Sequence, residues 1–227
     1  MVWDNSWESL FKKRDWGVYP NEELIKFIAK HYYKVSNRYK IKILELGCGP
    51  GANIWYLARE KFNVHGIDGS KTAINKCIKR LNKEIVNWKG KIQIGDIIKL
   101  PYSDNYFDAV VDLEAVTHNS FEDSIKIYNE SYRVLKNNGK IFSRTFANGT
   151  WGEGTGKKLG RNSWQVKVGP MKNHCNFVRF TKKNQIKILF KSFKLLGIEK
   201  ISFTMENEKY KINEWLIYGK KVSNEKK

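Results

Sequence analysis

The chain alternates between two hydrophobic periods. Ile41-Lys42-Ile43-Leu44-Glu45-Leu46 is a short apolar run broken by glycines, the mark of a buried strand. A helical pattern follows from about Ala52 to Glu60, then a second strand at Asn63–Asp68 and a helix from Ser70 to Leu81. Lys91–Ile94 and Phe107–Leu113 are expected as the third and fourth strands, and Lys140–Phe146 as the fifth. Before the last of these, Ser120 has capping-box spacing, and Phe121, Ile125, Tyr128, Tyr132 and Leu135 share one helical face. Asn137-Asn138-Gly139 ends that helix.

Upstream, residues 4–14 form a short aromatic helical pattern. Asn21 caps a second helix whose apolar face is Leu24, Ile28, Tyr32 and Val35. Residues 147–180 are glycine-rich and follow neither period, over a length unusual for a connection. A helix from Thr181 and strands at Ile198–Met205 and Trp215–Tyr218 close the pattern. Alternating strands and helices predict an α/β fold with a mainly parallel sheet covered on both faces.

With 227 residues the chain is the size of one domain, and its 41% hydrophobic content supports a sizeable core. The N-terminus lacks a basic segment followed by an apolar one, and no run approaches a membrane span, so a cytoplasmic protein is expected. Three scattered cysteines and four histidines show no disulfide or metal-ligand spacing, and no metal is expected. The net charge of +19 is unevenly spread: residues 1–150 carry +7 and residues 151–227 carry +12. Of the 42 basic residues 34 are lysine. A Lys-, Asn- and Ile-rich chain is what AT-rich coding gives, so charge alone does not point to nucleic acid.

In parallel α/β sheets ligands bind beyond the carboxyl ends of the strands. After the first strand comes Glu45-Leu46-Gly47-Cys48-Gly49-Pro50-Gly51-Ala52. Glycines there let the backbone turn sharply and approach a ligand. Asp68 ends the second strand, where a carboxylate can accept both hydroxyls of a ribose. Asp96 follows the third strand, placed to reach an adenine edge, and Asp112-Leu113-Glu114 ends the fourth. The glycine run alone also fits the G-x-G-x-x-A dinucleotide fingerprint, which keeps a nicotinamide oxidoreductase as a competing reading.

Glu45-x-Gly47-x-Gly49-x-Gly51, Asp68, Gly95-Asp96 and the run from Leu100-Pro101 to Phe107-Asp108-Ala109-Val110-Val111 together resemble the class I S-adenosylmethionine-dependent methyltransferases, of the type acting on small molecules. The turn before the fifth strand matches too, except that Lys140 stands where a second glycine is common. The resemblance covers residues 40–146 by motif and reaches 220 by element order. It implies a Rossmann-like, seven-stranded, mostly parallel sheet with an antiparallel last hairpin. Residues 1–40 would form a helical lid and 41–220 the methyltransferase domain, with a basic lid insertion at about 147–180 and a polar tail at 221–227.

By that resemblance the cofactor is S-adenosyl-L-methionine. Gly47, Cys48, Gly49 and Gly51 would underlie its methionine part, with Glu45 at the ammonium side. Asp68 would hold the ribose, Asp96 and Ile97 the adenine, and Leu113 would lie near the sulfonium. Cys48 also reads as a small packing residue.

Methyl transfer needs alignment and a dry pocket more than a catalytic triad, and a base only for some acceptors. His118, shortly after the fourth strand, is the foremost base candidate; a packed structural histidine is the other reading. His174 and Glu114 are weaker candidates. Trp3, Trp7, Phe11, Trp16 and Tyr19 are expected to cover the cofactor. The insertion carries Lys157, Lys158, Arg161, Lys167, Lys172 and Arg179 against Glu153 alone, a composition suited to meeting an anionic acceptor. The expected function is methyl transfer to a hydroxyl, amine or carboxyl group on a small or carrier-linked metabolite, such as a sugar or lipid. The alternative is an RNA or protein methyltransferase using the basic C-terminal third. Against it, neither Asn-Pro-Pro-Tyr nor a Pro-Cys pair follows the fourth strand.

Overall fold

The computed structural model describes residues 4–15 and 17–222. Trp3, Trp16 and residues 223–227 of the polar tail lie outside the described residues. Seven strands form one sheet: β1 (Lys42–Leu46), β2 (Asn63–Asp68), β3 (Lys89–Ile94), β4 (Phe107–Leu113), β5 (Leu135–Phe146), and, beyond the insertion, β9 (Lys194–Met205) and β10 (Tyr210–Lys220). Their order is β3-β2-β1-β4-β5-β10-β9. β1 to β5 pair in parallel, and β10 runs antiparallel to both β5 and β9. This is the Rossmann-like class I methyltransferase arrangement.

Period-two alternation sends neighbouring residues to opposite faces. Ile43, Val111 and Phe142 pack under α2 (Glu22–Tyr32), α3 (Ala52–Arg59) and α4 (Lys71–Glu84). Leu44, Val110 and Ile141 pack under α5 (Phe121–Val134) and α6 (Lys183–Leu189). The capping residues act as their chemistry dictates: Asn21, Ser70 and Ser120 accept the N–H groups of Glu23, Ala73 and Asp123.

Two expectations need correction. The buried stripe of α5 is Phe121, Ser124, Ile127, Tyr128, Ser131 and Val134, so it is rotated from the expected face, and Ile125 and Tyr132 are only half-buried. Ser124 and Ser131 satisfy their hydroxyls on the backbone carbonyls of Ser120 and Ile127, one helical turn back. Serine can then sit against the sheet as a small residue.

The second correction is the 147–180 segment, which is not structureless. It holds β6 (Lys157–Gly160), β7 (Ser163–Gln165) and β8 (Val178–Arg179) in a small antiparallel sheet. Val166, Met171, Cys175, Val178 and Phe180 give it a core of its own against Phe146 and Ile212. Ala147 and Thr181 bridge each other, so the chain leaves and rejoins the main sheet at one point.

α1 (Ser6–Lys13) packs on α4. Its Glu8 accepts from Ser70 Oγ, Thr72 Oγ1 and the Thr72 N–H, at the N-terminus of α4. The hydrogen bonds from Ser70 and Thr72 hold the Glu8 carboxyl down to about 2. Replacing Glu8 by alanine is expected to cost about 1 kcal/mol, as for a lost helix cap. A carboxyl with a lowered folded pKa stabilises above its unfolded value and loses that contribution as pH falls through the folded one. The melting-temperature gap between wild type and Glu8→Ala should therefore be widest at neutral pH and shrink toward pH ~2. A gap constant with pH would contradict this.

Candidate active site

The loop after β1 is built from glycines in left-handed conformations. At Gly51, with φ 86°, an added Cβ would run into the Cys77 sulfur; at Gly47 it would overlap the Ala115 side chain. Both positions bring the loop against neighbouring elements that a side chain would push away.

Asp68 is buried and fastens two loops. Its Oδ2 accepts the Gly49 N–H at 2.9 Å, and its Oδ1 accepts the Ser70 N–H at 2.8 Å. Burial pushes its pKa up, partly offset by those two N–H groups. Glu45 is 3% exposed. Its Oε1 accepts from Asn53 Nδ2 at 2.7 Å, while its Oε2 has no partner among the described residues. Burial pushes the Glu45 carboxyl up to about 8, and the nearby Asp68 and Asp112 add to the effect.

Asn53 also accepts the Asn21 N–H at 2.8 Å, tying the start of α2 to the glutamate. Sequence reasoning missed Asn53. Its only signal was an amide in the first turn of the helix that follows the glycine loop.

Asp112, at the end of β4, is turned inward. It accepts from Tyr128 OH and Ser143 Oγ on one oxygen and from the Ala115 and Val116 N–H groups on the other. It thereby fixes the turn that carries Glu114 and His118.

His118 Nδ1 lies 2.8 Å from the Phe177 carbonyl oxygen. A carbonyl only accepts, so Nδ1 carries the proton and Nε2 keeps a lone pair. Burial pushes the His118 pKa down to about 4, so the ring is neutral near pH ~7. Trp7 of α1 stands edge-on to it, with centroids 4.9 Å apart.

The nine residues expected at the cofactor, Glu45, Gly47, Cys48, Gly49, Gly51, Asp68, Asp96, Ile97 and Leu113, line one cavity of about 530 Å³ together with His118. Trp7, Phe11 and Tyr19 line it as well, and Met171 is the insertion's contribution. His174 does not line it and meets Arg14 at 3.3 Å instead.

The basic residues of the insertion are elsewhere. Lys157, Lys158, Arg161, Lys167 and Lys172 are exposed, Arg179 is fully buried, and none lines the cavity. The short antiparallel strands and their apolar core turn the lysines outward, and Arg179 packs within 5.9 Å of the Phe121 ring. The insertion reaches the cavity through Met171 and through its hydrogen bond to His118, not through positive charge.

The cavity lies at the carboxyl ends of the parallel strands, with a glycine loop after β1 and acids after β2 and β3, where α/β sheets of this fold bind ligands. The comparisons with known proteins agree. Residues 44–143 match the family described as "Methyltransferase domain". A SAM-dependent methyltransferase of Methanosarcina mazei superposes with TM-score 0.66 at 19% identity, covering 80% of this chain and 92% of that one. A sterol 24-C-methyltransferase of Aspergillus fumigatus is 32% identical over 127 residues, 52% of this chain and 32% of that protein. A phosphoethanolamine N-methyltransferase of Plasmodium falciparum is 29% identical over 104 residues, 44% of this chain and 37% of that protein. The chain thus spans about a third of the length of the curated relatives it matches. Among the described residues no helix is long and apolar enough to cross a membrane.

Proposed function

We propose that this chain transfers a methyl group from S-adenosylmethionine to a hydroxyl, amine or carboxyl group of a small or carrier-linked metabolite. The observation that carries the proposal is the single cavity joining the ends of β1 to β4, with the unpartnered Glu45 oxygen buried in its wall. That oxygen suits a cationic donor, and the ammonium of the methionine part is one. Gly47 to Gly51 would lie under this part of the cofactor, Asp68 would accept from the ribose hydroxyls, and Asp96 and Ile97 would flank the adenine. Leu113 would lie near the reacting carbon.

When bound, the cofactor supplies a methyl carbon already made electrophilic by the sulfonium, open to in-line attack by the acceptor. The chain then has to align the acceptor and exclude water. Trp7, Phe11 and Met171 serve as an apolar cover, which supports reading residues 1–40 and the insertion as lids. His118, neutral and with a lone pair on Nε2, is suited to accept a hydrogen bond from the acceptor's N–H or O–H. The printed names of two relatives, a sterol and a phosphoethanolamine methyltransferase, support a small-molecule acceptor.

The test is transfer of a radiolabelled methyl group from S-adenosylmethionine into cell extract, with the label followed into small-molecule, RNA and protein fractions. Label is expected in the small-molecule fraction and should require the protein. Label confined to RNA or protein would overturn the acceptor class.

A further inference from the structure

The end of the cavity beyond Leu113 has a polarity of its own. Its lining includes Glu114, next to Leu113 in the chain, and His118 with Trp7 against its ring. Although the chain carries +19, no lysine or arginine lines any part of the cavity among the described residues.

Glu114 is one of the carboxyl groups that line the cavity, with Asp4 and Glu22 among the others. Its backbone is left-handed, with φ 65°, and its N–H donates to the Arg144 carbonyl at 2.8 Å. A non-glycine residue in this conformation is held there by its surroundings. Arg144 has two carboxyl groups to serve. It gives Nε and Nη2 to one oxygen of the buried Glu214, at 2.8 and 2.5 Å, and touches Glu114 only at 3.3 Å. Glu114 is therefore the undercompensated member of the trio, and it is the member that lines the cavity. Burial and Glu214 act against Arg144 and push the Glu114 carboxyl up to about 8.

His118 offers its Nε2 lone pair, and one of the two Asn119 amide N–H donors goes to the Ala115 carbonyl. Glu114 and His118 present carboxyl and imidazole acceptors beside Trp7. A phosphate or carboxylate would meet Glu114 with no basic side chain to offset it. An ammonium beside Glu114 would draw its carboxyl to the ionised form, and its N–H donors match the acceptors of Glu114 and His118.

We propose that this end of the cavity recognises an amine, bound through its N–H donors by Glu114 and His118, so that the acceptor class is narrowed to amino compounds. The proposal rests on the methyltransferase reading of the same cavity. It is tested by calorimetry on the whole chain saturated with S-adenosylhomocysteine, using benzylamine, benzyl alcohol and benzoate, probes of one shape that differ in the polar group. Benzylamine is expected to bind about tenfold more tightly than either of the others. Glu114→Gln is expected to remove most of that preference, its folding checked by circular dichroism.

Equal binding of the three probes, tighter binding of benzoate, or no binding of benzylamine would overturn the proposal while S-adenosylhomocysteine binding leaves the methyltransferase reading standing. The wild-type comparison decides the matter even if Glu114→Gln fails to fold. Failure of S-adenosylhomocysteine itself to bind would overturn the methyltransferase reading, and this proposal with it.

Discussion

Asp68→Ala is expected to weaken S-adenosylhomocysteine binding by about a hundredfold, measured by calorimetry. The carboxylate has two tasks. It accepts the N–H groups of Gly49 and Ser70, which holds the glycine loop against the start of α4. It also retains acceptor capacity on both oxygens, since a carboxylate has about four lone-pair sites. Alanine leaves two buried N–H groups without their acceptor and removes the partner of the ribose hydroxyls. A hydrogen bond to a charged group is worth roughly 1.5–3 kcal/mol, so the combined loss is large. Asp68→Asn keeps one acceptor oxygen and is expected to fall in between. Affinity unchanged in Asp68→Ala would remove the ribose role from this residue.

Glu45→Gln is expected to stabilise the ligand-free protein and to weaken cofactor binding. The carboxyl is buried, and its folded pKa is raised to about 8. An acid with a raised folded pKa contributes nothing where both states are protonated. It destabilises increasingly as pH climbs from the unfolded value of about 4.5 to the folded one, and the penalty is constant above that. By linkage the full penalty at alkaline pH is roughly 5 kcal/mol, from which the variant's buried amide takes back about 1–3 kcal/mol. The melting temperature of Glu45→Gln should therefore exceed that of wild type by a margin that widens between pH ~5 and ~8. Glutamine still accepts from Asn53, but it cannot offer a charge to an ammonium, so cofactor affinity should fall about tenfold. A variant less stable than wild type at alkaline pH would show that Glu45 is better compensated than its geometry indicates.

What the sequence made legible, and what it hid, follow from the same physics. The strand ends could be read because their chemistry restricts the residue types. Glycines at 47, 49 and 51 and acids at 45, 68 and 96 stand out against apolar runs, and parallel topology carries them to one edge of the sheet. The α5 stripe could not be read from hydrophobicity, because Ser124 and Ser131 are buried through bonds to their own helix backbone. The insertion hid its fold differently. Strands of two to four residues are too short to show a period, and its core is assembled from single apolar residues spaced irregularly from Val166 to Phe180.

The charge of the insertion misdirected expectation toward an anion, since a net count carries no information about which way a side chain faces. Asn53 and Asn21 were invisible as site residues because an amide near a helix start has many ordinary uses. Glu114 was legible as a candidate, but its weight came only from Arg144 and Glu214, which reach it from β5 and β10.

The cavity proposed for S-adenosylmethionine has a glycine run that also fits a dinucleotide fingerprint. The most direct measurement is calorimetric titration of the wild-type chain with S-adenosylmethionine, S-adenosylhomocysteine and NADH. Binding of the two sulfur compounds in the micromolar range, with none for NADH, is the expected result. Binding of NADH without either sulfur compound would contradict the account and turn the same glycine loop and Asp68 into a nicotinamide site.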